Sequence, residues 1–287
     1  MDFRAILMGL AFVLMWSSAF TSAHIAVEYA SPLLLLSCRF LISGLLAAGI
    51  TRLLGQHARF SRKQWIAIAM FGVLQNGVYL GANFVAMQWI DAGLAAIIAS
   101  LLPLTVAAAS WVLFGEKISK TSLLGLVAGA LGVLIIMSAR LSGGADLTGI
   151  LLAFIGVIAL TSATLLVRGA TSSGNVLMVV GMQMLIASAV LFPASVLLET
   201  WRVDWTYQLI AAFIYTTLIP GVAATLIWFL LVRRIGTIRA ASFHFLNPFL
   251  GIAIAAVVLG EAMTQRDYLG VLVITVGIVA VQLGRRR

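Results

Sequence analysis

Asn76, Tyr79 and Asn83 recur at i, i+3 and i+7 inside an apolar run, a spacing that stacks them on one face of a helix. Gln75 borders that face. Amides and a phenol offer hydrogen bonds without charge, so they can hold a small solute but do no acid–base work at neutral pH. His244 and Asn247 fall on one turn of a second run, where the histidine is a candidate ligand for a polar group or a pH-sensitive element. A third run carries Trp16, Ser17, Ser18, Thr21 and Ser22, partly echoed by Thr161, Ser162 and Thr164. Trp16 lies near the middle of its run, where a ring either packs or gives an aromatic solute a stacking surface. Tyr215, Thr216 and Pro220 suggest one more kinked polar face.

Catalysis would need a nucleophile with its base, a metal cluster or paired carboxylates within these runs. None is present: every acidic residue falls in a loop or at a helix end, and Cys38 is alone. The chain asks for no metal and no cofactor. What its polar residues can do is bind and release, so the expectation is a protein that is not an enzyme and whose partner is a small molecule.

The elements that position these residues are built for lipid. Hydrophobic residues make up 62% of the 287 and charged ones 9%, against roughly 25% charged in soluble domains. A soluble fold cannot hide that much apolar surface. Charge clusters and turn residues divide the chain into ten apolar runs, near 5–23, 32–51, 65–87, 93–114, 121–139, 148–167, 176–198, 206–232, 240–259 and 268–284. Each is close to the roughly 20 residues that a spanning helix requires. The first run has little charge ahead of it and no clear small-residue cleavage site, so it is expected to be a helix rather than a leader.

The net charge of +9 reports orientation rather than nucleic-acid binding. With the N-terminus in the cytoplasm, the inner segments hold Arg4, Arg52, Arg59, Arg62, Lys63, Lys117, Lys120, Arg168, Arg233, Arg234, Arg239 and Arg285–Arg287. The outer loops hold only Arg140, Arg202 and Arg266. That is the positive-inside pattern, with both termini cytoplasmic.

The halves match each other. At an offset of 145, Pro103 meets Pro248, Gly115–Glu116 meets Gly260–Glu261, Gly125 meets Gly270 and Gly132 meets Gly277. Earlier in each half the offset is 140: FTSA at 20–23 meets LTSA at 160–163, and Trp65 meets Trp205. The reading is an all-α polytopic membrane protein: ten transmembrane helices in two five-helix repeats, 1–140 and 147–287, around a central cavity. Five is odd, so the second repeat enters the membrane inverted, a construction shared by many secondary transporters with a site near the midplane. The Gly-Glu turns mark the repeat and end helices, with caps expected at Ser61–Gln64 and Thr264–Asp267.

The matched prolines, Pro103 and Pro248, are expected to break their helices at depth, freeing the Ala99 and His244 carbonyls. Gly77 and Gly81 form a G-x-x-x-G that would let the third helix approach a neighbour. Arg39 is the one charge within a run, seven residues past Pro32, or roughly 10 Å deep at the helical rise. Its side chain is expected to snorkel outward as an anchor. Holding a substrate carboxylate or a freed helix-end carbonyl is the alternative.

With its ten runs, two repeats, "LNPF", the "FGE" and "LGE" turns and "RFLISGLLA" opening the second run, the chain resembles the EamA-type members of the drug/metabolite transporter superfamily. Among these it is most similar to bacterial amino-acid exporters, including aromatic amino-acid exporters of the YddG type. The resemblance implies a basket of ten helices with a cavity lined mainly by helices 1, 3, 4, 6, 8 and 9, and helices 5 and 10 packed together as support. It implies a multi-pass protein of the bacterial inner membrane, compatible with a single chain working alone. Small multidrug relatives exchange protons for cations on a buried glutamate, which the first run here lacks. A neutral, polar and aromatic pocket suits a zwitterionic amino acid with a large apolar side chain. A nucleotide-sugar or multidrug carrier on the same fold is the alternative.

Overall fold

A computed structural model describes residues 3–55, 60–90, 95, 98–138, 146–170, 175–259 and 265–284. Among them every regular element is helical, apart from one isolated bridge between Ala30 and Val203. Six helices are long and apolar enough to cross a membrane. They are α1 (Phe3–Tyr29), α2 (Pro32–Leu53), α3 (Arg62–Ala86), α6 (which covers Leu147–Leu166), α7 (Val176–Leu198) and α8 (Tyr207–Ile235). Shorter apolar helices are α4 (Leu102–Phe114), α5 (Lys120–Met137), α10 (Asn247–Leu259) and α11 (Gln265–Leu283), with the brief α9 (Thr237–Ala241) leading into α10.

Two of the ten expected runs are interrupted among the described residues, and each interruption falls just before a proline. Pro103 occupies the first turn of α4, where a missing N–H costs nothing because that donor is orphaned anyway. Between α9 and α10 the chain tightens into a 3-10 segment, Ser242–Leu246, just before Pro248. Each proline therefore starts a new helical segment just past a break, with helical residues before it at 98–99 and at 237–246. The His244 carbonyl accepts from the Asn247 N–H in the tightened turn.

Helix ends follow local chemistry. Ser61 and Gln64 form the expected reciprocal capping box on α3, with separations of 2.8 and 3.3 Å. Gly115 ends α4 at φ 62°, the left-handed conformation that favours glycine. Ser119 and Thr206 cap α5 and α8. Asp146 accepts from the Thr148 N–H at 2.7 Å, and hydrogen bonds from the Thr148 side chain first and its N–H second hold its carboxyl below the usual carboxylate range. The Gly260–Glu261 turn and Thr264 lie outside the described residues, as do Arg59, Arg140 and Arg285–Arg287.

The most extensive helix pairs are α5 with α11 and α2 with α7. In the first, a methyl group added to Gly125 would lie 2.6 Å from the Gly277 carbonyl, and one on Gly277 would lie 2.7 Å from the Gly125 carbonyl. Gly132 stands in the same relation to the Gly270 carbonyl, at 2.7 Å. Gly44 and Gly181 let α2 and α7 approach similarly. The Gly77–Gly81 pair does not play this part: Gly77 has open space around its Cα and Gly81 only ordinary contacts. On α3 the close approach is at Gly72, where an added carbon would lie 2.4 Å from the Gln183 carbonyl of α7.

Two long helices carry π segments, Gly72–Leu80 in α3 and Thr217–Ala224 in α8. They begin at positions separated by the same spacing as the two Gly-Glu turns. In α8 the cause is Pro220, which has no N–H to return to Thr216. At one end of the molecule the α1–α2 turn is clasped to the α7–α8 connection. Ser31 N–H donates to the Arg202 carbonyl at 2.9 Å and Asp204 N–H to the Tyr29 carbonyl at 2.8 Å. Glu199 accepts from the Leu33 and Leu34 N–H groups at the start of α2, at 2.8 and 3.1 Å. The outer surface exposes Leu113, Leu124, Leu197 and Leu272 by more than half, as a lipid-facing wall requires.

Gly277→Val drives a side chain into the Gly125 backbone, which cannot yield. Overpacking of this kind costs about 1–3 kcal/mol. The expected result is a clear fall in the detergent melting temperature. Gly49→Ala, where nothing lies within 4 Å, leaves it unchanged.

Candidate functional site

A cavity of about 20 Å³ lies between α1, α2, α3 and α8, room for about one water molecule. Its walls are largely apolar, with four aromatic rings: Trp16 and Phe20 from α1, Tyr79 and Phe84 from α3. Asn83, Arg39 and Pro220 supply the polar and irregular parts. The Trp16 and Tyr79 rings face each other nearly parallel, with centroids 6.3 Å apart and planes inclined by 5°. The two rings are a stacked contact and form one part of the cavity wall. On α1, Phe12, Trp16 and Phe20 recur at i, i+4 and i+8, a spacing that puts them on one face and that the reading of the sequence passed over.

The side chains singled out from the sequence divide into two groups. Trp16, Tyr79, Asn83 and Pro220 line the cavity. Asn83 Nδ2 donates to the Tyr79 carbonyl at 2.8 Å, and it has space because residue 156 opposite is glycine: an added Cβ there would lie 2.6 Å from that nitrogen. Asn76 has turned away, its Nδ2 donating to Gln183 Oε1 across the α3–α7 contact. The π segment explains the parting of Asn76 from Tyr79, because its wider turn changes the phase that a 3.6-residue period would give.

The second group forms a polar link beside the cavity. Ser17 Oγ donates to Asn247 Oδ1 at 3.1 Å, and Asn247 Nδ2 lies 2.9 Å from His244 Nδ1. With the amide nitrogen donating, Nδ1 accepts and the imidazole proton sits on Nε2. The His244 ring is boxed by Phe12, Trp16 and Trp228, with centroids 5.2, 5.9 and 5.3 Å away and all three edge-on. The residue is buried, so its contact with the cavity runs through Trp16. Tyr215 is the outlying member: 38% exposed, its hydroxyl pairs with Ser18 Oγ at 2.6 Å. Pro103 and Pro248, at the starts of α4 and α10, do not reach the cavity wall.

Arg39 departs most from expectation. Instead of snorkelling outward it is 3% exposed and lines the cavity. Its guanidinium lies over the Phe40 ring, 5.1 Å from the centroid, and close to Gly221 of the α8 π segment. It was legible as the single charge in a span, and its helical neighbour Ser43, which donates to the Thr217 carbonyl at 3.0 Å, shows which face meets α8. Among the described residues no cluster of histidine, cysteine or carboxylates could hold a metal.

A lipid-faced helical body around a cavity with aromatic and hydrogen-bonding walls fits a membrane transport protein. The chain belongs to the EamA-like transporter family, whose sequence model matches residues 3–138 and again residues 147–283. It is 29% identical over 279 residues to the uncharacterized inner membrane transporter YedA of Escherichia coli K12, covering 96% of this chain and 89% of that one. The uncharacterized transporter YvbV of Bacillus subtilis is 26% identical over 267 residues, covering 93% of this chain and 87% of the relative. A crystal structure 20% identical in sequence superposes with a TM-score of 0.77 over 96% of both chains, which shows that the fold is shared.

Asn247→Leu strands the Ser17 hydroxyl and His244 Nδ1 in an apolar surrounding, a loss of about 1–3 kcal/mol. The melting temperature is expected to fall, and adding Ser17→Ala to cost less in that background than in the wild type. Equal, additive losses would show that the three side chains are not one linked unit.

Proposed function

We propose that this chain exports large neutral amino acids, aromatic ones foremost, and related metabolites across the bacterial inner membrane by alternating access. Its frame is ten spans in two inverted five-helix repeats, 1–140 and 147–287, with both termini in the cytoplasm. The observation that carries the substrate reading is the parallel Trp16–Tyr79 pair inside a cavity with amide and guanidinium groups on its wall. A wall that carries this stacked pair beside Phe20 and Phe84 suits a flat apolar side chain. The buried polar groups suit a zwitterion's backbone better than a wholly apolar drug.

Three observations support the inverted frame. The family's sequence model matches twice along the chain. The π segments of α3 and α8 keep the repeat spacing. Repeat-equivalent glycines exchange partners, Gly125 meeting Gly277 and Gly132 meeting Gly270, as two copies related by a twofold axis in the membrane plane would do. The alternative within transport is a nucleotide-sugar or multidrug carrier. A permanent organic cation finds Arg39 rather than a carboxylate in the cavity, and a diphosphate finds one guanidinium where several would be needed.

Solute binding requires the walls to part, since ligand sites for small organic molecules run to roughly 300–1,000 Å³. The test is uptake of labelled phenylalanine into proteoliposomes, with and without a pH gradient. Saturable uptake indifferent to the gradient is expected. Trp16→Ala and Tyr79→Ala raise KM by about two- to tenfold, the worth of one aromatic contact. No saturable uptake of phenylalanine beside a nucleotide-sugar that does move would overturn the substrate and leave the fold standing. A phosphatase fused to the C-terminus is expected to be inactive, as on the cytoplasmic side.

A further inference from the structure

We propose that the Arg39 guanidinium receives the carboxylate of the transported solute, which makes the acid group obligatory and the amino group dispensable. The inference rests on the aromatic-solute reading above and narrows it to aromatic carboxylates, amino acids being one kind.

Among the described polar side chains that line the cavity, Arg39 alone has a buried donor to spare, whereas the unpartnered amides of Gln75 and Gln183 lie off the wall. Asn83 gives its amide to the Tyr79 carbonyl, Asn76 pairs with Gln183, and Ser43 donates to the Thr217 carbonyl. The Glu199 carboxylate is taken by the first N–H groups of α2. Arg39 Nε, by contrast, is buried with no hydrogen-bond partner. No ion pair or hydrogen bond joins the guanidinium to any described residue; it packs over the Phe40 ring and beside Gly221.

An arginine stays protonated even when buried, so the charge cannot be shed as a lysine or histidine would shed it. Leaving a buried charge unpaired is among the costlier arrangements a protein can keep, and at membrane depth more so. Such a group persists where an arriving anion completes it. The planar fork of the guanidinium matches a carboxylate in two parallel hydrogen bonds. With the acid on Arg39, an aryl group one or two carbons away has Trp16, Phe20, Tyr79 and Phe84 on the same cavity wall. Among the described residues no acidic side chain lines the cavity, so an ammonium group gains no ion pair there.

The experiment compares three probes of one size on the purified full chain in detergent: phenylalanine, phenylpropionate, which lacks the amine, and phenylethylamine, which lacks the acid. Thermal stabilisation by each is titrated for the wild type, Arg39→Lys and Arg39→Gln, beside phenylalanine uptake into proteoliposomes. Both acids are expected to stabilise the wild type at concentrations at least about tenfold lower than the amine, the worth of a charge-assisted hydrogen bond. Arg39→Gln loses that preference, and Arg39→Lys keeps part of it. An amine as effective as the acids, acids that stabilise nothing, or a preference intact in Arg39→Gln would each overturn the proposal. Should Arg39→Gln not fold, the wild-type comparison of acid with amine decides alone. Stabilisation by acids without phenylalanine uptake sinks the carrier reading and keeps Arg39 as the acid receptor. Uptake with equal competition by the amine does the reverse.

Discussion

In hydrocarbon a polar group has no water to fall back on, and every hydroxyl, amide and carbonyl in the chain must find its partner inside the protein. The architecture follows from how that demand is met. Hydroxyls on the helices bond back to carbonyls of the preceding turn, as Thr51, Thr161, Thr216 and Thr217 do. Amides pair across helices, as Asn76 does with Gln183. Glycines bring backbones together so closely that carbonyls are shielded by the opposing helix, as at Gly125 and Gly277. Where the demand is met in full, the structure is a scaffold. Where it is not and the group borders the cavity, as at Arg39, there is work left for a solute.

Much of this was legible in the sequence because it depends on local or repeated chemistry. The apolar runs, the Ser61 cap and the left-handed Gly115 each follow from residue type and position. Gly125, Gly132, Gly270 and Gly277 were marked by the repeat before any contact was known, though which would touch which depended on the inverted pairing. The site was legible in part. Trp16, Tyr79 and Asn83 share the cavity because α1 and α3 both present them inward. Asn76 does not, because the π segment it sits in breaks the period from which its facing was deduced. A single sequence carries no sign of a wide turn at Gly72–Leu80, whereas Pro220 gives one in α8. Arg39 was misplaced for another reason: snorkelling is the default for a lone charge in a span, and only packing against Gly221 and Phe40 shows that the default fails here.

The π segments and the cavity belong together. Tyr79 and Leu80 lie in one segment and Pro220 in the other, and all three line the same space. A wide turn leaves backbone hydrogen bonds with more than one reachable partner, so a helix carrying one can shift between registers at small cost. The irregular backbone is thus placed where a wall has to move, while the glycine-locked pairs α5–α11 and α2–α7 stay rigid around it.

The clasp at the end of α1 gives that motion a direction. The cavity is built from the middle of α1, the first half of α2, the final turns of α3 and the π segment of α8, so it lies in the half of the bundle toward the Ala30–Val203 bridge. Bonds at that end are made where water can replace them, at a net cost of about 0.5–1.5 kcal/mol each. The glycine seams deeper in the bundle have no such substitute. A membrane protein built this way comes apart like a purse with a drawstring: the cheap, re-formable ties are gathered at one rim, and the seams below hold the cloth together whether the mouth is open or shut.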